Sequence, residues 1–212
     1  VYDLPVLYFP KFFHPDPTVK RRSGFLKPQF NNSNVLGSSF SIPYYSVLSE
    51  SKDLTTIPFI FENNLQMFQN EYRQINKYSK IYANFGFVNN YKSTLDTKKN
   101  SIFNLFANYD LNLNLEKFSY SNLFLSIEKV TNDTFLKVFD SHIQDNILKP
   151  KDYDNLKSEI KISLRNKKYS FNSGLISYEN LQKQNSDRYE YILPYYNFST
   201  KINYNLFDGD IN

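Results

Sequence analysis

Cysteine and tryptophan are absent from this 212-residue chain, and methionine occurs once. Without cysteine there is no disulfide, thiolate metal site or thiol nucleophile within it. The compartment stays open, because an oxidising one permits disulfides without requiring them. No apolar run reaches the roughly 18 residues of a membrane-spanning helix, which excludes that element. The two histidines, His14 and His142, stand in polar, loop-like stretches without a His-x-x-x-His spacing, so each is expected to be a solvated loop residue. The five glycines form no phosphate-cradling loop, and Ser173-Gly174 is no nucleophile elbow. No catalytic constellation is visible, and no enzyme activity, cofactor or metal is expected. The net charge of +4, from 25 basic and 21 acidic residues, is too small to imply a nucleic-acid partner.

Aromatic residues are abundant, at 18% of the chain in 20 Phe and 18 Tyr, although the mean hydropathy is −0.55. That combination suits membrane-spanning strands, in which alternate residues face lipid and the segment average stays polar. Apolar side chains alternate in segment after segment. Ile57, Phe59 and Phe61 share one face of a third strand, and Leu65 to Ile75 makes a fourth. Ile81, Ala83, Phe85 and Phe87 mark a fifth, Phe103, Leu105, Ala107 and Tyr109 a sixth, and Leu123, Leu125 and Ile127 a seventh. In the eighth, Leu156, Ile160, Ile162 and Leu164 alternate with Lys157, Glu159, Lys161 and Arg165. Tyr169 to Asn180 and Arg188 to Ser199 complete an antiparallel meander of about ten strands. Strands of about ten residues at a tilt near 45° match the height of an outer-membrane apolar band.

The first two strands form a hairpin from Arg21 to Tyr45, with a polar turn at Asn31 to Asn34. Phe25, Lys27 and Gln29 alternate with Leu26, Pro28 and Phe30, and Phe40, Ile42 and Tyr44 share one face of the return arm. Each arm carries a proline, Pro28 or Pro43, which has no N–H for a ladder and belongs at an edge or a bulge. Two such breaks in adjacent strands suggest a seam that can open. Short connections at Ser49 to Lys52, Asn76 to Ser79 and Asn166 to Lys168 alternate with long ones at Lys92 to Asn100 and Thr131 to Asn155. Asp110 to Phe118 is a partial exception. Tyr44, Tyr45, Tyr72, Tyr78, Tyr82, Tyr91, Tyr189, Tyr191, Tyr195 and Tyr196 fall near expected strand ends, as an interfacial girdle or plain strand propensity would place them.

Several motifs carry a resemblance. Arg21-Arg22-Ser23-Gly24-Phe25-Leu26, Pro28, Ser41-Ile42-Pro43-Tyr44-Tyr45, Asp53-Leu54-Thr55-Thr56-Ile57-Pro58, Glu71-Tyr72-Arg73 and Val130-Thr131-Asn132-Asp133-Thr134-Phe135 stand in the same order as in the LptD family, also called OstA or Imp, which the chain resembles. That family assembles lipopolysaccharide at the Gram-negative outer membrane through a periplasmic β-jellyroll followed by a 26-stranded barrel. The resemblance implies that residues 1–12, with the apolar run Val6 to Phe9, end the jellyroll. Residues 13–22 are then a linker and 23–212 the N-terminal part of an incomplete transmembrane β-barrel. A proline-rich loop inside a single domain is the other reading of the linker. Starting at Val1 with no signal peptide, the chain is expected to be an internal fragment that does not fold alone.

By the same resemblance Pro28 and Pro43 fall on the family's lateral-gate prolines, opposite the last strand of the barrel. Phe25, Leu26 and Phe30 are then candidates for the lipid route, and Arg21 and Arg22 either contact lipid phosphates or solvate the linker. The implied partners are lipopolysaccharide, the plug lipoprotein LptE, the periplasmic bridge protein LptA through the jellyroll, and membrane lipids. The implied location is the cell outer membrane, with the N-terminal part in the periplasm. Two other classes compete: a different outer-membrane barrel such as a porin or receptor, which lacks the paired prolines, and a soluble glycan-binding or glycan-cleaving β-sandwich, which would fold without detergent.

Overall fold

The computed structural model describes residues 21–62, 64–91, 101–144, 146–204 and 207–211. The expected jellyroll strand, His14 and linker residues 13–20 lie outside the described residues. Among the described residues thirteen strands follow one another: β1 (Gly24–Phe25), β2 (Gln29–Ser33), β3 (Gly37–Ser41), β4 (Tyr44–Ser49), β5 (Lys52–Phe61), β6 (Gln66–Ile75), β7 (Ser79–Asn89), β8 (Ser101–Asn112), β9 (Tyr120–Val130), β10 (Asn155–Arg165), β11 (Tyr169–Asn180), β12 (Tyr189–Tyr204) and β13 (Phe207–Ile211). A short helix, α1 (Phe135–Phe139), interrupts the series. From β4 onward each strand pairs antiparallel with the next in a single sheet, the all-β meander that the alternation predicts. The count exceeds ten because both arms of the first hairpin break at their prolines and β13 follows β12.

Registers divide the side chains into two faces. On one, Asp53 pairs with Arg73, Gln69 with Gly86 and Gly86 with Asn104, and further on Lys161 pairs with Phe124 and Gly174. This face is mainly polar. On the other, Phe85 pairs with Leu105, Tyr109 with Leu125, and Leu125 with Ile160, in an apolar band. Many of its side chains are exposed, among them Ile60, Phe68, Phe87, Phe103, Ile160, Leu175 and Phe198.

The alternating sets of the fifth to seventh strands, and Ile160, Ile162 and Leu164 of the eighth, lie on this apolar face. Ile57, Phe59 and Phe61 do not. They point to the polar face and are buried there, because residues 131–154 fold back over the far end of the sheet. Phe135, Leu136 and Phe139 of α1 are fully buried against them together with Met67, Val88, Ile102 and Phe106. The connections at 50–51, 76–78, 113–119 and 166–168 share one end of the sheet, and the C-terminal end of β7, the N-terminal end of β8 and residues 131–144 share the other.

Two glycines are required by geometry. Gly37 closes the 34–36 turn at φ +76°, where Ser33 Oγ accepts from the backbone N–H of Val35 and Leu36 at 3.3 Å each. A Cβ on Gly174 would stand 2.5 Å from the carbonyl oxygen of Ile160. Beside it the register slips, since Gly174 pairs with Tyr195 but Ile176 with Ile192. The bulge falls at Leu193-Pro194, where proline removes a ladder donor. Tyr195 lies on the polar face and donates to Glu159 Oε1 at 2.9 Å, while Tyr44 and Tyr45 pair with Thr56 and Thr55 in mid-strand. Those three tyrosines therefore do not belong to an interfacial girdle; Tyr78 and Tyr189 do sit at connections.

Candidate functional site

The hairpin edge is broken where the two prolines predict it. Gly24 and Phe25 pair with Tyr45 and Tyr44, and pairing resumes with Gln29 opposite Ser41. Leu26, Lys27 and Pro28 thus stand opposite Ile42 and Pro43 alone. The extra residue in the first arm shifts its alternation by one, which sends side chains to the opposite face. Phe25 and Phe30 fall on opposite faces by simple alternation, yet both land on the apolar face. Phe25 meets Tyr44 edge-on at 5.0 Å and Phe30 meets Phe40 at 4.8 Å. Both remain largely exposed, at 76% and 81%, with Leu26 at 45%.

Within the break the N–H of Leu26 donates to the carbonyl of Pro43 at 2.8 Å. An extended residue turns its N–H and C=O to the same side, so the donor that Pro43 lacks would also face the first arm. Pro43 therefore weakens the pairing of the two arms with each other, and not directly the pairing of the first arm with a closing strand.

Each half of the broken hairpin is fastened to the sheet separately. Near the short connections, Arg21 Nη1 and Nη2 donate to Asp53 Oδ2 at 3.1 and 2.8 Å, and Arg73 Nε donates to Asp53 Oδ1 at 2.7 Å. The carboxylate is buried and both guanidinium side chains are about half exposed. Arg22 is exposed. Ser23 Oγ adds a contact by accepting from the N–H of Val47 at 2.8 Å. In the other half, Ser39 Oγ and His142 Nε2 lie 3.0 Å apart, and the imidazole packs 5.1 Å from the rings of both Phe59 and Phe61.

His142 is thus buried, contrary to its expected place in a solvated loop. Burial pushes its pKa below the ordinary histidine value, so the ring is held neutral. The signal that marks its segment is the spacing of Phe135, Leu136, Phe139 and Ile143, three and four residues apart, within a stretch otherwise read as a plain long loop. The start of that segment has its own local logic. Asn132 Oδ1 accepts from the N–H and hydroxyl of Thr134 at 3.0 and 2.8 Å, and Asp133 accepts from Arg188 at 2.7 Å.

Arg21, Asp53 and Arg73 come from three separate motifs of the resemblance, and the fold brings them to one point. Sequence reading singled out Arg21 without its partners. Between the two fastenings the polar face carries a layer of buried amides, in which Gln69 Nε2 donates to Asn104 Oδ1 at 3.0 Å across Gly86. Gln69 Oε1, Asn84 Oδ1 and Asn104 Nδ2 have no partner among the described residues. Among these residues no group of His, Cys, Asp and Glu is arranged to hold a metal ion.

No family model matches the chain. It is 26% identical over 141 residues to the LPS-assembly protein LptD of Idiomarina loihiensis, a match covering 66% of this chain and 18% of that protein. It is 37% identical over 78 residues to the LPS-assembly protein LptD of Francisella tularensis subsp. novicida, covering 37% and 9% of the two. With the LPS-assembly protein LptD of Pseudomonas aeruginosa it shares 32% over 89 residues, covering 42% and 10%. The matches thus span less than a fifth of these relatives' length. With the ordered motifs and the strand meander, these matches support membership of the LptD family, to part of whose length the chain is similar.

Proposed function

We propose that this chain is the opening part of an outer-membrane barrel that delivers lipopolysaccharide to the outer leaflet, and that its broken hairpin is one side of a lateral gate. The observation that carries the reading is the shifted alternation at Leu26-Lys27-Pro28. It sets Phe25 and Phe30 together on the apolar face, while the arginine pair stands on the polar face beside the same break. An amphiphile crossing there meets apolar rings on one side and cations on the other. Opening a barrel sideways exposes unpaired backbone groups to lipid at several kcal/mol each. Where opening parts the two arms of the hairpin, Pro43 lowers that cost, because the donor it lacks would face the first arm.

The two faces support a membrane setting: the exposed apolar band suits lipid and the amide-rich face suits a wet lumen through which sugars pass. The end carrying the 131–154 segment is then extracellular, and the N-terminal side periplasmic. By family, LptE occupies the barrel and LptA delivers lipid through the jellyroll.

A photoreactive residue at Phe25 or Phe30 of the full-length protein in cells tests the gate. Lipopolysaccharide adducts are expected there and not at Ile162 on the apolar face of β10. Absence of adducts from a correctly assembled protein rejects the gate and leaves the fold standing.

A further inference from the structure

The ion-pair cluster has more cationic capacity than its carboxylate uses. Asp53 engages three nitrogens, Nη1 and Nη2 of Arg21 and Nε of Arg73. Both Nη groups of Arg73 are left without a partner among the described residues. The hydrogen-bonded cluster itself sets two guanidiniums against one carboxylate. The neighbouring acid, Glu71, acts on Arg73 electrostatically but makes no hydrogen bond to it among the described residues, accepting instead from Asn146 Nδ2 at 3.2 Å. The two arginines line a cleft of about 290 Å³ with Tyr45, Ser51, Asp53 and Tyr82, which adds hydroxyl donors to the guanidinium N–H groups. Planar N–H forks with hydroxyls beside them match the oxygens of a phosphate.

Position strengthens the match. Tyr44, the ring partner of Phe25, pairs with Thr56, three residues along β5 from Asp53, or roughly 10 Å. The apolar rings and the arginines therefore flank the hairpin break at a headgroup's distance, on opposite faces of the sheet. Asp53 keeps the two side chains extended into the cleft and prevents their mutual repulsion.

We propose that this cleft is a subsite for a phosphomonoester, carried on the headgroup of the amphiphile that passes the gate. Arg73 is its principal ligand and Arg21 the second. The proposal rests on the gate reading for its lipid source and on the ion-pair geometry for its chemistry.

The test uses full-length protein in detergent with a photoreactive residue at Ser51. The probes are a phosphorylated glycolipid, the same glycolipid after enzymatic dephosphorylation, and inorganic phosphate as competitor. Adducts with the phosphorylated lipid should exceed those with the dephosphorylated one by about tenfold, as expected for one charge-assisted contact. R73Q, which leaves the Arg21–Asp53 pair in place, should remove that difference, and R22Q should not. Equal labelling by the two lipids, or a difference that survives in a normally assembled R73Q protein, overturns the subsite. Displacement by inorganic phosphate at concentrations matching the lipid would assign the cleft to the free anion and overturn the lipid source. Labelling at Phe30 is read in parallel. Adducts there without phosphate dependence at Ser51 dismiss the subsite and keep the gate, whereas loss at both positions dismisses the gate as well.

Discussion

His142 shows what burial does to a single titratable group. Its ring is enclosed by Phe59, Phe61 and Ser39, with Ser141 Oγ 3.1 Å from Nδ1. The docked segment therefore holds it neutral, with a pKa below that of the released segment. Above the ordinary value of about 6.5 both forms are neutral and docking is independent of pH. As pH falls below that value the released segment takes up a proton that the docked one refuses. Docking weakens progressively until the pH passes the depressed docked value. The adjacent Asp140 does not confuse this result. Burial alone would raise its pKa, but Lys149 at 2.6 Å and the Tyr153 hydroxyl outweigh that and hold it below the usual carboxylate range, so it stays ionised. Proteolysis within 131–154 should accelerate between about pH 7 and pH 5 in the wild type. In His142→Asn, which keeps a hydrogen-bonding amide, the rate should be flat across that range; a flat wild-type profile removes the argument.

The broken hairpin is the element in which local chemistry decides pairing. Leu26-Lys27-Pro28 opposes only Ile42-Pro43, so the break is a bulge as well as a loss of donors. Replacing Pro28 and Pro43 together by Ala restores two N–H groups, each able to contribute about 1 kcal/mol if it finds a carbonyl. The arms should then protect their amides longer in hydrogen exchange, and lipopolysaccharide delivery should slow. Unchanged delivery by a normally assembled double variant would count against the gate. This element was legible in the sequence as far as the prolines and the hairpin. The one-residue shift was not, because nothing in the residue pattern says which arm holds the extra residue.

At the scale of the whole molecule the two faces make opposite demands. Leu105 lies on the apolar face between Phe85 and Lys129, and Asn104, one residue away, is fully buried on the polar face. Leu105→Arg places a charge in mid-strand on the face assigned to lipid, at a cost of about 2–4 kcal/mol near the bilayer centre. Membrane assembly of the full-length protein should drop accordingly, as followed by heat-modifiable migration on gels. Normal assembly of that variant would show that this face does not meet lipid.

Alternation, connection lengths and prolines were sufficient to establish an antiparallel meander, because strand periodicity is a local property set by which neighbours share a face. That holds for β7, β8 and β9, whose apolar alternation follows from residue order alone, and for β11, whose bounds do. Where the chain folds back on itself, residue order loses its authority. Ile57, Phe59 and Phe61 look like any other lipid-facing stripe until α1 packs upon them, and His142 looks solvated until Ser39 reaches it across 103 positions of sequence. The Arg21–Asp53–Arg73 cluster likewise joins residues 32 and 20 positions apart. Such contacts depend on strand register and on which face a returning segment covers, and both are decided only when the sheet has formed.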